Sequence, residues 1–142
     1  MQPFVSILIA AYNAERFIAE TLRSALAQTW QPKEIIVVDD GSTDRTLLIA
    51  QKFEAEGVSV VTQQNQGHCA AKNKAFSFSN GDYIQWLDAD DIIAPDKIAR
   101  QIAVLEGYRS KRTLVSSAWT RFLYRHHGAQ FTPDSQIGRA HV

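Results

Sequence analysis

Val5-Ser6-Ile7-Leu8-Ile9 and Ile35-Ile36-Val37-Val38 are two short runs rich in β-branched aliphatic residues, separated by a stretch of helical periodicity. Neither run has a polar face apart from Ser6, so each suits a strand covered on both sides. Between them Ile18, Leu22, Ala25 and Leu26 recur at the spacing of one helix face, and Asn13 has the side chain of a cap for that helix. After the second run, Asp39-Asp40-Gly41-Ser42-Thr43-Asp44 reads as a turn able to cap a helix carrying Leu47, Leu48, Ala50 and Phe53. The same alternation continues outward. A third strand is expected over 58–62, a helix over 68–78, and a fourth strand over 83–87. Pro95 suits the first turn of a helix that puts Ile98, Ile102 and Leu105 on one face, and 114–123 reads as a fifth strand. Alternating strands and helices predict an α/β fold with a mostly parallel sheet and helices on both faces. Sheets of this kind bind ligands beyond the carboxyl ends of their strands.

The chain has 142 residues, enough for one domain with a core and too few for two. Lys+Arg and Asp+Glu both number 15, so no general attraction to nucleic acid or to an anionic membrane follows. Cys69 is the single cysteine, which excludes an internal disulfide framework and argues against a cysteine zinc site. A reducing compartment fits. Met1-Gln2-Pro3-Phe4 lacks a basic region and a long apolar run, so no signal peptide is expected. No apolar stretch reaches the roughly 18 residues of a membrane span.

Four polar clusters fall at expected strand ends or at the start of a helix. Leu87-Asp88-Ala89-Asp90-Asp91 sets three carboxylates within four residues directly after a buried strand. Their mutual repulsion is relieved by a divalent cation, and oxygen-only ligands favour Mg²⁺ or Mn²⁺. The same residues also fit a polar turn ahead of the helix near Pro95. Val38-Asp39-Asp40-Gly41-Ser42 offers a carboxylate to a ribose hydroxyl or a base N–H, and it also fits a turn and cap. In Ala10-Ala11-Tyr12-Asn13 the tyrosine can stack on a nucleobase or pack on the following helix. In Asn65-Gln66-Gly67-His68-Cys69-Ala70-Ala71-Lys72-Asn73, a helix start favours phosphate and Lys72 supplies a point cation. His68 and Cys69 are adjacent on a helix and do not face each other, which argues against a nucleophile pair.

Taken in order, Ser6 through Asn13, Val37 through Asp44, Asn65-Gln66-Gly67 with Ala71-Lys72-Asn73, Gly81-Asp82-Tyr83-Ile84 and Leu87 through Asp91 resemble the successive signatures of family-2 glycosyltransferases. The resemblance covers residues 4 to 106. It implies a Rossmann-like GT-A fold, incomplete here, and transfer of a sugar from a UDP-, GDP- or dTDP-linked donor to an acceptor hydroxyl. Ala10, Tyr12 and Asp40 would contact base and ribose, with Asn13 beside them, and Lys72 would lie near the diphosphate. Asp88 would sit by the ribose and sugar. Asp90 would carry most of the Mg²⁺ or Mn²⁺ coordination, with Asp88 and Asp91 assisting. Inversion, a glycan or lipid-linked acceptor, a role in cell-surface polysaccharide or glycoconjugate synthesis, and a cytoplasmic site at the inner face of the membrane are further implications. Three positions depart from the family pattern: Ala10 stands for Pro or Thr, Lys72 for Arg, and Ala75 for Gly. Lysine keeps the charge of arginine and loses its bidentate fork.

An inverting transferase needs a base for the acceptor hydroxyl. Beyond Glu106 only Asp134 is acidic, and it lies in an unpatterned stretch. The expected organisation is therefore a nucleotide-sugar-binding portion over 1–124 and an unpatterned tail over 125–142. Residues 137–142, Ile-Gly-Arg-Ala-His-Val, also read as a translated sequencing adapter, which marks them as a candidate non-native end. A nucleotide-sugar-binding fragment without transfer activity is the alternative reading. Two spaced Asp clusters with Tyr12 argue against a phospho-receiver or an acidic-site phosphatase. No Gly-x-Gly-x-x-Gly follows the first strand, which argues against a nicotinamide dehydrogenase.

Overall fold

The computed structural model describes residues 1–107 and 114–116, in two compact units, Met1–Asp96 and Lys97–Val142. The first unit carries four parallel strands, β1 (Val5–Ala11), β2 (Lys33–Asp39), β3 (Val58–Thr62) and β4 (Tyr83–Trp86), in the order β3-β2-β1-β4. The helices are α1 (Ile18–Leu26), α2 (Thr46–Gln51) and α3 (His68–Ser77), with a 3-10 turn at Glu54–Glu56. Every residue of the central strand β1 is buried, as its uninterrupted apolar run requires.

The two sheet faces bury different sets. Leu8, Ala10, Ile36 and Val38 meet Ala71 and Ala75 of α3, with Val61 and Ile84 at the margin. The small side chains of α3 let it approach the sheet closely, and Ala71 and Ala75 are fully buried one turn apart. Ile7, Ile9 and Val37 point to the opposite face; Ile18, Leu22 and Ala25 of α1 and Ala50 of α2 are likewise fully buried. Of the four apolar residues expected on α1, Ile18, Leu22 and Ala25 are buried and Leu26 is half-buried. Thr21, Ser24 and Gln28 are also covered, and they bond to the backbone instead of to water.

Entry into β4 depends on a close approach. A Cβ on Gly81 would lie 2.6 Å from both the amide nitrogen and the hydroxyl of Ser6. The bare glycine lets its own N–H reach Ser6 Oγ at 2.9 Å, while Ser6 Oγ donates to Glu34. Phe4 N–H donates to Asp82 Oδ2 at 2.9 Å. The Asn80-Gly81-Asp82 turn therefore fixes β4 beside β1.

One expectation about an element end is corrected, and another falls largely outside the described residues. Asn13 does not cap α1, which begins at Ile18 after Phe17. Its backbone instead takes φ 49°, in the left-handed region that asparagine tolerates, and its side chain turns toward the β2 loop. The fifth strand expected over 114–123 is described only at Leu114, Val115 and Ser116, where Val115 forms an isolated bridge. The remainder of that strand, the 125–142 tail and the 137–142 segment lie outside the described residues.

In the second unit α4 (Lys97–Leu105) buries Ile98 and Ile102, two of the three residues expected on its apolar face. Lys97 Nζ donates to Gln101 Oε1 at 2.9 Å within that helix, and Gln101 Nε2 donates to Val115 O at 3.4 Å.

Candidate functional site

The carboxyl ends of β1 and β2 are adjacent by register, Ala11 pairing with Asp39, and Leu87 N–H extends β4 onto Leu8 O at 3.0 Å. Three of the sequence clusters therefore leave one edge of the sheet. The two loops after β1 and β2 are knitted to each other. Asn13 N–H donates to Ser42 Oγ at 3.0 Å, and Asn13 Oδ1 accepts from Thr43 N–H at 2.8 Å. Ala14 N–H donates to Thr46 Oγ1 at 2.7 Å, and Glu15 N–H to Asp44 Oδ2 at 3.1 Å. Asp44 Oδ1 also accepts from Thr46 N–H at 2.8 Å, the first residue of α2. Burial pushes the Asp44 carboxyl up, but these donors outweigh it and hold it below its ordinary value.

Asp40 is 2% exposed and works as a tie. Its Oδ1 accepts from Gln63 Nε2 at 2.7 Å and from Gln66 N–H at 2.9 Å, and its Oδ2 accepts from Gly67 N–H at 2.9 Å. Burial again raises the carboxyl, and these three donors with nearby His68 more than offset it, so it sits below its ordinary value. Gly41 makes the approach possible. Its φ is 68°, and a Cβ there would stand 2.8 Å from Asn65 N. One lone-pair position on Asp40 Oδ2 is not used by these bonds. Asp39 is buried as well. Its Oδ2 accepts from Ser42 N–H at 3.2 Å, while Oδ1 has no partner among the described residues.

The residues after β4 are held by α1 and by Gln28 just past its end. Thr21 Oγ1 donates to Ala89 O at 2.9 Å, Ile93 N–H to Ser24 Oγ at 3.3 Å, and Gln28 Nε2 to Ala94 O at 2.7 Å. Ala89 is buried by this anchoring, and Asp88, Asp90 and Asp91 on either side of it are exposed. Asp91 N–H closes a turn onto Asp88 O at 3.0 Å. Partial burial, then the charges of Asp90 and Asp88, raise the Asp91 carboxyl above its ordinary value. The repulsion expected from the sequence is thus present. No group of three or more His, Cys, Asp or Glu side chains among the described residues is gathered tightly enough to hold a metal by itself. The acidic turn fits the hard-cation mode in which one or two carboxylates share the ion with waters and substrate phosphates.

The other expected residues divide into two groups. Tyr12 is half exposed at the end of β1, free to cover a planar ligand. Lys72 Nζ lies 3.4 Å from Asp88 Oδ1, and His68 Nε2 lies 4.0 Å from the same oxygen. Ala10, by contrast, is buried beneath α3, so its methyl group faces the core. Asn13 spends its polar atoms on the neighbouring loop. Gln63 and Thr21, which no motif names, bond to the loops of the candidate site, and His68, weighed in the sequence only as a partner of Cys69, stands beside Asp88. His68 had a usable signal, because it stands four residues before Lys72 and so shares its helix face. Thr21, Ser24 and Gln28 had one too: a polar stripe at helical spacing on a face otherwise apolar.

This four-stranded parallel sheet flanked by helices has the α/β arrangement of the GT-A glycosyltransferases. The family model of glycosyl transferase family 2 matches residues 6–129, and the chain belongs to that family. It is 35% identical to an uncharacterised glycosyltransferase of Rickettsia typhi over 96% of this chain and 43% of the other. It is 43% identical to the chondroitin synthase of Escherichia coli over 68% of this chain and 14% of that protein. The chain thus spans less than half the length of either relative. Among solved structures, S. aureus TarS superposes with a TM-score of 0.69 at 29% identity, covering 73% of this chain and 32% of that one; TarS has been solved with UDP and with UDP-GlcNAc. The mannosyltransferase PcManGT from Pyrobaculum calidifontis, solved with GDP-Man and Mn²⁺, gives a TM-score of 0.71 over 85% of this chain and 36% of that one. At 23% identity it speaks to the fold alone.

Proposed function

We infer that this chain is the donor-binding part of a glycosyltransferase that moves a sugar from a nucleotide-diphosphate donor to an acceptor hydroxyl. One observation carries the reading. A half-exposed aromatic after β1, a carboxylate after β2, and an acidic turn after β4 lie at one sheet edge, with the cation Lys72 set on that turn. Tyr12 is suited to stack on the base, and the remaining acceptor position of Asp40 to take a base or ribose donor. Lys72 is suited to complement diphosphate charge, and Asp88 to meet ribose and sugar. Asp90, with Asp88 and Asp91, would hold Mg²⁺ or Mn²⁺. That cation would supply positive charge to the departing diphosphate. The protein's own part is to present the acidic turn in a fixed place, which Thr21 and Ser24 of α1 and the following Gln28 do through Ala89, Ile93 and Ala94.

TarS, similar over 73% of this chain, binds UDP and UDP-GlcNAc, which supports a nucleotide-sugar donor. The likeness to chondroitin synthase supports a polysaccharide or glycoconjugate product. An inverting course, a glycan or lipid-linked acceptor, and a cytoplasmic setting at the inner membrane face complete the proposal. Among the described residues no helix is long and apolar enough to cross a membrane.

Calorimetric titration with UDP, GDP and dTDP, each with and without Mn²⁺, tests the reading. Saturable binding of one of them, strengthened by the metal, is expected. Absence of saturable binding to all three would overturn it.

A further inference from the structure

Lys72 has a second partner that no motif assigns. Its Nζ lies 5.5 Å from the ring centroid of Trp86, within the range of a cation–π contact. Trp86 is the last residue of β4. It is fixed by pairing with Leu8 of the central strand, and it stands two positions before Asp88. Trp86 as a whole is 41% exposed.

The ion pair with Asp88 is a weak holder for Lys72. Its distance is 3.4 Å and Asp88 is half exposed, a setting in which such pairs contribute little. A diphosphate entering the site would also compete with Asp88 for the ammonium. The ring face is neutral and sits on a rigid strand, so an anionic ligand does not compete for it. Lysine has a long stem with many rotamers, and a ring beside its head group limits them.

We propose that Trp86 is a positioning residue for the donor diphosphate, holding the Lys72 ammonium at the acidic turn both before and after the ligand displaces Asp88. The proposal rests on the donor-site reading above and adds to it a residue that acts only through Lys72.

The test is a double-mutant cycle on the full chain, read as the dissociation constant of whichever of UDP, GDP or dTDP the wild type binds in the presence of Mn²⁺. Lys72→Met should weaken binding. Trp86→Leu should weaken it roughly two- to fivefold, the size of an exposed cation–π contact. Trp86→Phe should restore most of that loss. In the Lys72→Met background, Trp86→Leu should cause no further loss. Equal losses from Trp86→Leu with and without Lys72 would overturn the proposal, because the ring would then act by itself or through the fold. So would wild-type affinity in either Trp86→Leu or Lys72→Met. Should Trp86→Leu fail to fold, Trp86→Phe serves in its place. Its smaller loss must appear with Lys72 present and vanish in the Lys72→Met background, and a loss that persists there overturns the proposal. A wild type that binds none of UDP, GDP and dTDP fails at the first titration, which removes the donor-site reading and this proposal together.

Discussion

Asp40 illustrates how one side chain can serve the fold and the site at once. Its three hydrogen bonds join the end of β2 to the loop before α3 and hold Gly67 at the helix start. Asp40→Asn keeps the shape but turns one acceptor oxygen into an NH₂ group facing donors. Leaving a buried donor unsatisfied costs about 1–3 kcal/mol, so urea denaturation should show a loss of that order. Nucleotide affinity should fall with it, because the loop carrying Gly67 is released. Asp40 and Asp44 also make a pH prediction. Both carboxyls sit below their ordinary value in the folded chain. For a depressed carboxyl the stabilisation is present above the unfolded value of about 3.9 and is lost as pH falls through the lower folded value. Folding stability should therefore drop on acidification below about pH 4, and Asp44→Asn should flatten that slope. A slope unchanged in both asparagine variants would refute the assignment.

At the scale of elements, α1 does more than cover the sheet. Its buried Thr21 and Ser24, with Gln28 just past its end, take up the backbone of the segment after β4, so the helix acts as a mould for the acidic turn. Thr21→Val removes the donor to Ala89 O while preserving volume. The expected result is a stability loss of about 1–2 kcal/mol and weaker metal-dependent nucleotide binding, seen by thermal melting and titration of the same variant. A loss of stability with unchanged affinity would show that the turn keeps its shape without α1. The sequence makes this division of labour only partly legible. Buried strands announce themselves because β1 and β2 have no polar face, and helices do so by the spacing of Ile18, Leu22 and Ala25. The acidic turn is visible because three carboxylates in four residues are costly without a reason. What holds the turn is not visible in the same way. Thr21 and Ala89 are 68 residues apart, and nothing local in a threonine says which carbonyl it will meet. Asn13 misleads for a related reason: its preference for local backbone donors suits a helix cap, and a loop brought near by the sheet offered better ones.

For the molecule as a whole, fold and ligand make opposite demands on the strand ends. The sheet is secured by apolar burial that needs no charge, while three exposed carboxylates on one turn repel one another and raise Asp91. A site built this way should be worse for the empty protein than for the loaded one. Asp90→Ala separates the two terms. Asp90 is exposed and among the described residues makes no hydrogen bond or ion pair, so removing its charge should leave the unliganded melting temperature unchanged or slightly higher. In Mn²⁺ and nucleotide the order should reverse. Ligand that binds only the native state adds stability that grows with the logarithm of its concentration, about 2.7 kcal/mol at a hundredfold excess over the dissociation constant. The wild type should show such a rise in melting temperature only when metal and nucleotide are both present. Asp90→Ala should lose most of it, with affinity down at least about tenfold. Melting curves of both proteins, with and without EDTA, decide the point. A variant that melts lower than wild type when empty would mean that Asp90 supports the fold. One that keeps the full ligand-induced rise would mean that the cation is held elsewhere.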